Sequence, residues 1–274
     1  MSEFLSQYGA LILSLAAAGL FAGLVAGMFG IGGGSVIVPV LFFLLDGMGF
    51  GGTAMHVAVS TSLATIILTS IRSVMAHHGH GAVDWSVILG WAPWIMLGAA
   101  FGIGLSGLMS KQTLLGLFGS LLVLLSLQLI FGRPSWRVAE EMPKRAARAG
   151  LGTGVGALSA LMGIGGGTFG VSLMTLCGMP MHRAVATAAG WGVAIGLPGA
   201  ITAIFVGWGR EGLPPLSLGF VNLPAFALIS VFTVLMAPVG AALAHRLPAD
   251  NLRKLFGLLL ALIAVRMVWQ ATGL

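Results

Sequence analysis

The chain has 274 residues, 58% of them hydrophobic and only 7% charged, with 43 glycines and 14 methionines. Soluble domains carry about 25% charged residues, so the composition excludes a water-soluble enzyme, and its hydrophobicity excludes a disordered chain. The net charge of +6 comes from Lys and Arg in short connections, where they report membrane orientation rather than nucleic-acid binding.

The chain opens Met1-Ser2-Glu3 and has no Lys or Arg before Arg72. It therefore lacks the positive segment of a secretory signal, and its N-terminus is expected outside the cytoplasm. Apolar runs long enough to span a bilayer, about 20 residues each, are expected at 8–29, 53–76, 85–109, 112–131, 183–208, 222–245 and 251–270. The stretches 35–45 and 168–178 are too short to cross as helices, and each follows a glycine cluster. The run 147–163 is also short. Between the halves lies one polar segment, with Arg133, Arg137, Glu140, Glu141, Lys144, Arg145 and Arg148. Cys177 is the only cysteine and reads as a small packing residue.

The halves repeat. Gly30-Ile31-Gly32-Gly33-Gly34-Ser35 returns as Gly163-Ile164-Gly165-Gly166-Gly167-Thr168, Met55-His56 through Ser60-Thr61 as Met181-His182 through Ala186-Thr187, and Leu117-Phe118-Gly119 as Leu255-Phe256-Gly257. Three matches in one order predict two repeats, 1–138 and 139–274, joined by a cytoplasmic linker at about 132–148. With that linker inside, Arg72, Arg183, Arg246, Arg253 and Lys254 share its side, while Lys111, Arg210 and Arg266 lie opposite. Each repeat then crosses an odd number of times. The expected fold is an all-α polytopic integral membrane protein of two inverted repeats, about five membrane segments each, with broken or re-entrant helices at the glycine motifs and both termini outside.

An unwound backbone at membrane depth is tolerated where it lines a cavity, and successive glycines let a ligand approach the amides. If Ser35 and Thr168 cap the short helices, positive helix ends from both halves face one small anion. The candidate substrate-binding set is Gly32, Gly33, Gly34, Ser35, Gly165, Gly166, Gly167 and Thr168, with the hydroxyls of Thr61, Ser62 and Thr187. His56 and His182 match between repeats and offer a hydrogen bond or a proton, and Arg183 is a candidate anion attractant. Gly19, Gly23 and Gly27, like Gly98 and Gly102, read as helix-packing positions. His77-His78-Gly79-His80 reads as a solvated loop; its spacing is not that of a zinc site, and no metal or cofactor is called for. Nucleophile turns, zinc-binding helices and phosphate loops are all missing, so the chain does not read as an enzyme.

Gly30-Ile31-Gly32-Gly33-Gly34, then Val38-Pro39, then Ala58-Val59-Ser60-Thr61-Ser62-Leu63, repeated with variation in the second half, resembles the TauE/SafE family of sulfite exporter-like permeases from about Leu11 to Leu260. The resemblance implies a bacterial or organellar carrier of small sulfur-containing anions such as sulfite, sulfonates or sulfoacetate. It places Gly32, Gly33, Gly34, Thr61, Ser62, Gly165, Gly166, Gly167 and Thr187 nearest the substrate. The second half departs from the pattern at Ser172, where the proline is expected, and at Ala186 and Ala188 around Thr187, so the halves should contribute unequally.

Few carboxylates, with Asp46 the one beside a membrane segment, favour export of an anion from the inner membrane over proton-driven uptake. The expected partners are the anion and lipid, and the stripes of small residues would also suit a homodimer interface. A carrier for a cation or neutral solute, and a membrane-embedded enzyme or complex subunit, stand as the alternatives.

Overall fold

The computed structural model describes residues 2–30, 32–132 and 138–272. Ile31 of the first glycine cluster and Arg133, Pro134 and Arg137 of the linker lie outside them. Among the described residues there are ten helices and a two-stranded hairpin, β1 (Ser217–Leu218) and β2 (Val221–Asn222). The first half holds α1 (Ser2–Phe29), α2 (Gly34–Gly47), α3 (Ala54–His78), α4 (Trp85–Ser106) and α5 (Lys111–Phe131). The second holds α6 (Arg145–Leu161), α7 (Gly167–Leu176), α8 (Met181–Val206), α9 (Leu223–Arg246) and α10 (Ala249–Thr272).

Seven of these helices, α1, α3, α4, α5, α8, α9 and α10, are long and apolar enough to cross a membrane, in the seven places the hydrophobic runs predict. The protein is an integral membrane protein. Helices α2 and α7 have 14 and 10 residues. At 1.5 Å per residue they are about 21 and 15 Å long, short of the roughly 30 Å hydrocarbon core.

Helix α3 packs on α8, α5 on α10, α1 on α9 and α4 on α6. Lipid gives apolar helices no hydrophobic reason to associate, so close contact rests on small residues, and glycines stand at these seams. A Cβ on Gly19 or Gly23 would fall within 3.0 Å of Phe232, Thr233 or Met236 of α9, and Gly27 abuts Ala237 and Ala241. Gly98 and Gly102 of α4 stand against Thr153 and Ala157 of α6 in the same way. Reciprocally, Gly119 of α5 meets Val268 of α10, and Gly257 of α10 meets Leu129 and Ile130 of α5.

The helix ends group into two faces. His56 at the start of α3, Ser106 and Gly107 at the end of α4, and Phe220 in the hairpin after α8 lie together. His77 at the end of α3, His182 at the start of α8, His245 at the end of α9 and Gly27 of α1 gather at the other. Helices α3 and α8, the matched third helices of the two halves, therefore run antiparallel.

Candidate functional site

The first glycine cluster ends α1 and reverses the chain. Gly30, Gly32 and Gly33 have φ of +67°, +70° and +81°, a conformation that residues with a Cβ rarely adopt. In the second cluster Gly163 alone has positive φ, at +62°, and Gly166 is right-handed. A Cβ on Gly34 would strike the Gly163 carbonyl and come within 2.8 Å of Ile164 Cα, so the two turns are in direct contact. Each also rests on the third helix of the opposite half. Gly163 stands over Val59 of α3, and Gly30 over the Val185 carbonyl of α8.

Helices α2 and α7 start at this junction. Their first amides lack intrahelical partners and carry the positive end of the helix dipole, and neither has an acidic residue in its first turn. Gly33 and Gly166 occupy the N-cap positions, with no side-chain cap bond in either helix. The expectation that Ser35 and Thr168 cap is therefore corrected: each is the second residue of its helix. The helices begin at Gly34 and Gly167, two residues earlier than capping by Ser35 and Thr168 requires, because left-handed Gly33 and the Gly166 turn make the reversal.

Freed from capping, both hydroxyls stay buried without a hydrogen-bond partner, Ser35 at 0% and Thr168 at 2% exposure. An unsatisfied buried hydroxyl costs about 1–3 kcal/mol, which a bound acceptor would recover. Gly32, Gly33, Gly34, Gly165, Gly166 and Gly167 are buried in the same two turns.

The other candidate hydroxyls are engaged. Ser62 donates to the Gly163 carbonyl at 2.7 Å, tying α3 of one half to the turn of the other. Thr61 Oγ1 accepts the amide of Asn222, 2.9 Å away, and Thr187 Oγ1 accepts the amide of Asp84 at 3.0 Å. Asn222 and Asp84 are the N-caps of α9 and α4. The matched threonines thus clamp the matched helix starts of the opposite half.

His56 lies away from the turns, 3.1 Å from the Ser106 carbonyl and stacked on Phe220. His182 lies at the opposite face, 5.9 Å from the His245 ring. Arg183 is exposed and donates to Asp84 at 3.1 Å. The Ser86 hydroxyl first, then the Val87 amide and Arg183, outweigh desolvation and hold the Asp84 carboxyl below the usual range. Asp46 pairs with Lys111 at 2.6 Å, at the face carrying His56. The structure therefore gathers the glycines, Ser35 and Thr168 with Ser62, and leaves His56, His182 and Arg183 at the ends of the bundle.

The reading of residues 77–80 as a solvated loop also needs correction. Helix α3 continues to His78, and His77 is buried, with Nε2 3.0 Å from the Gly27 carbonyl and Nδ1 3.1 Å from His245. The Gly27 carbonyl near the end of α1 and a facing imidazole satisfy it inside the bundle, so burial does not strand its polar atoms. Among the described residues no group of three or more His, Cys, Asp or Glu is arranged to hold a metal ion.

Sequence reasoning missed Trp191. It is fully buried, presses on Gly166 and Gly170, stacks on Trp91 at 5.3 Å, and leaves its indole N–H unpartnered. Its position four residues after Thr187, hence on the same helix face, was the available signal.

Comparison with known proteins places these features in a family. A family model described as Sulfite exporter TauE/SafE matches residues 15–267. A probable membrane transporter protein of Haemophilus influenzae is 34% identical over 251 residues, covering 91% of this chain and 95% of the relative. One of Xylella fastidiosa is 28% identical over 270 residues, 95% and 96% of the two chains. Another, from Methanocaldococcus jannaschii, is 24% identical over 252 residues, 91% and 92%. No solved structure matches significantly.

Proposed function

The chain belongs to the sulfite exporter TauE/SafE family, whose members here are membrane transporters and not enzymes, and we propose that it exports a small sulfur-containing anion, of the sulfite, sulfonate or sulfoacetate type, across a bacterial inner membrane. The observation that carries this reading is the junction of the two glycine turns, where the starts of α2 and α7 bring two buried, unpartnered hydroxyls, Ser35 and Thr168. Positive helix ends with hydroxyl donors favour a negatively charged solute. A cation would need the turn carbonyls, and that of Gly163 already accepts from Ser62.

The two halves, 1–138 and 139–274, act as inverted repeats about this junction. The antiparallel course of α3 and α8 supports the inversion, as do the reciprocal Thr61–Asn222 and Thr187–Asp84 contacts. With the linker of Lys144, Arg145 and Arg148 in the cytoplasm, both termini lie outside. Rocking of one set of helices against the other exposes the junction to each side in turn.

An inside-negative potential drives a monoanion outward by about 2.3 kcal/mol at 100 mV, roughly a fifty-fold bias at equilibrium. Purified protein in liposomes preloaded with sulfite should release it faster when the imposed potential repels the anion. Efflux indifferent to the potential, or equal to that of protein-free liposomes, contradicts electrogenic export.

A further inference from the structure

Four histidines meet at the face of the bundle that carries the ends of α3 and α9. His77 Nδ1 lies 3.1 Å from His245 Nε2. The His245 ring stacks on His80 at a centroid distance of 4.3 Å and on His182 at 5.9 Å, with planes within 18° in both cases. The groups acting electrostatically on His77 are His245, His80 and His182. Other charged neighbours are turned elsewhere: Asp84 at the start of α4 is engaged by Arg183 of α8, His78 accepts from the Trp85 indole, and Arg72 and Arg246 are exposed. From α1 comes the Gly27 carbonyl.

The hydrogen bonds fix the protons. A carbonyl only accepts, so His77 carries its proton on Nε2 and donates to Gly27. In the neutral ring Nδ1 is then a lone pair and accepts from His245 Nε2–H. This order requires neutral His77. A proton on His77 Nδ1 forces His245 to change tautomer, and a second on the pair leaves two N–H groups opposed. Further protons place like charges in stacked rings.

The cluster also ends a buried polar file. Thr61, Thr65, Thr69, Ser73 and His77 recur every fourth residue on one ridge of α3, all buried. Thr65 and Thr69 bond back to the preceding member, while Ser73 Oγ is unpartnered. The ridge runs from beside Ser62, which holds the second glycine turn, to the histidines. Gly27 precedes the first turn by three residues.

We propose that His77, His80, His182 and His245 form a proton-binding gate at the end of this buried polar ridge of α3, closed when neutral and opened by protonation. Neutral, the His77–His245 bond and the stacked rings hold α1, α3, α8 and α9 together; with a proton added to each member of the pair, they repel. At the opposite face His56 lies against the Ser106 carbonyl and Phe220, outside the cluster. The identity of the solute rests on the function proposed above, but the gate does not.

The test therefore reads the gate without any solute. Ser73→Cys, in a Cys177→Ser background, is labelled with a water-soluble maleimide in detergent. Its rate is divided by that of Leu108→Cys, an exposed site, to remove the thiolate's own pH dependence. From about pH 8 to about pH 4.5 the ratio should rise at least tenfold, since one coupled proton gives up to about tenfold per pH unit. His245→Gln, or the more exposed His80→Gln if the first does not fold, should flatten the rise. A ratio independent of pH, or a rise that survives both substitutions, overturns the gate. In liposomes, sulfite efflux should quicken when only the face with the histidines is acidified. A normal labelling response without sulfite movement would refute the cargo and leave the gate standing.

Discussion

Gly34→Ala tests the contact between the two turns. The new methyl would collide with the Gly163 carbonyl and stand 2.8 Å from Ile164 Cα, and both are backbone atoms that no rotamer change can move. Carbon atoms settle at about 3.5–4.0 Å, so the turns must part by on the order of 1 Å. Overpacking of this kind costs about 1–3 kcal/mol. For a chain of this size each kcal/mol lowers the melting temperature by about 2–4 °C, which predicts a fall of roughly 2–12 °C in detergent. Gly47→Ala is the control, at the end of the same helix with nothing within 4 Å of the added methyl, and should leave the melting temperature within about 2 °C. Efflux of sulfite from liposomes should fall with Gly34→Ala, because the separated turns no longer present Ser35 and Thr168 together. If Gly34→Ala matches Gly47→Ala in both melting and efflux, the turns do not meet as described.

Thr61→Val and Thr187→Val each strand a backbone amide, that of Asn222 or Asp84, at a cost of about 1–3 kcal/mol, read as a lower melting temperature. Trp191→Phe removes an unpartnered indole N–H while keeping a ring against Gly166, so the protein without solute should melt no lower and sulfite titration should show weaker binding. Asp84→Ala removes the α4 cap and should destabilise by about 1 kcal/mol. Because the folded Asp84 carboxyl titrates below its unfolded value, its contribution is complete above about pH 3.9 and disappears as the pH falls through the folded value; melting curves of the two proteins should converge in strong acid.

The seven spans were legible in the sequence because lipid demands unbroken apolar length, and the short α2 and α7 because the glycines before them punctuate that length. The paired glycine and threonine motifs are the sequence signal for two repeats. They could not disclose that Thr61 and Thr187 clamp helix starts across the halves, since the partners are backbone amides at Asn222 and Asp84. Composition likewise hid the histidine cluster. His77, His80, His182 and His245 are scattered in sequence and meet only because the ends of α3 and α9 and the start of α8 share one face. The capping role expected of Ser35 and Thr168 failed for a local reason: the glycine turns, left-handed at Gly33 and right-handed at Gly166, bring the chain into the helix without help from a hydroxyl, which leaves the hydroxyl available for something else.

Calorimetric titration of the purified protein with sulfite, beside Ser35→Ala, Thr168→Ala and the double variant, bears most directly on the anion site. Each single change should weaken binding by about ten- to a hundredfold, in keeping with one lost hydrogen bond to a charged acceptor at about 1.5–3 kcal/mol, and alkali cations should not bind. Sulfite affinity that is the same in all four proteins would contradict the account.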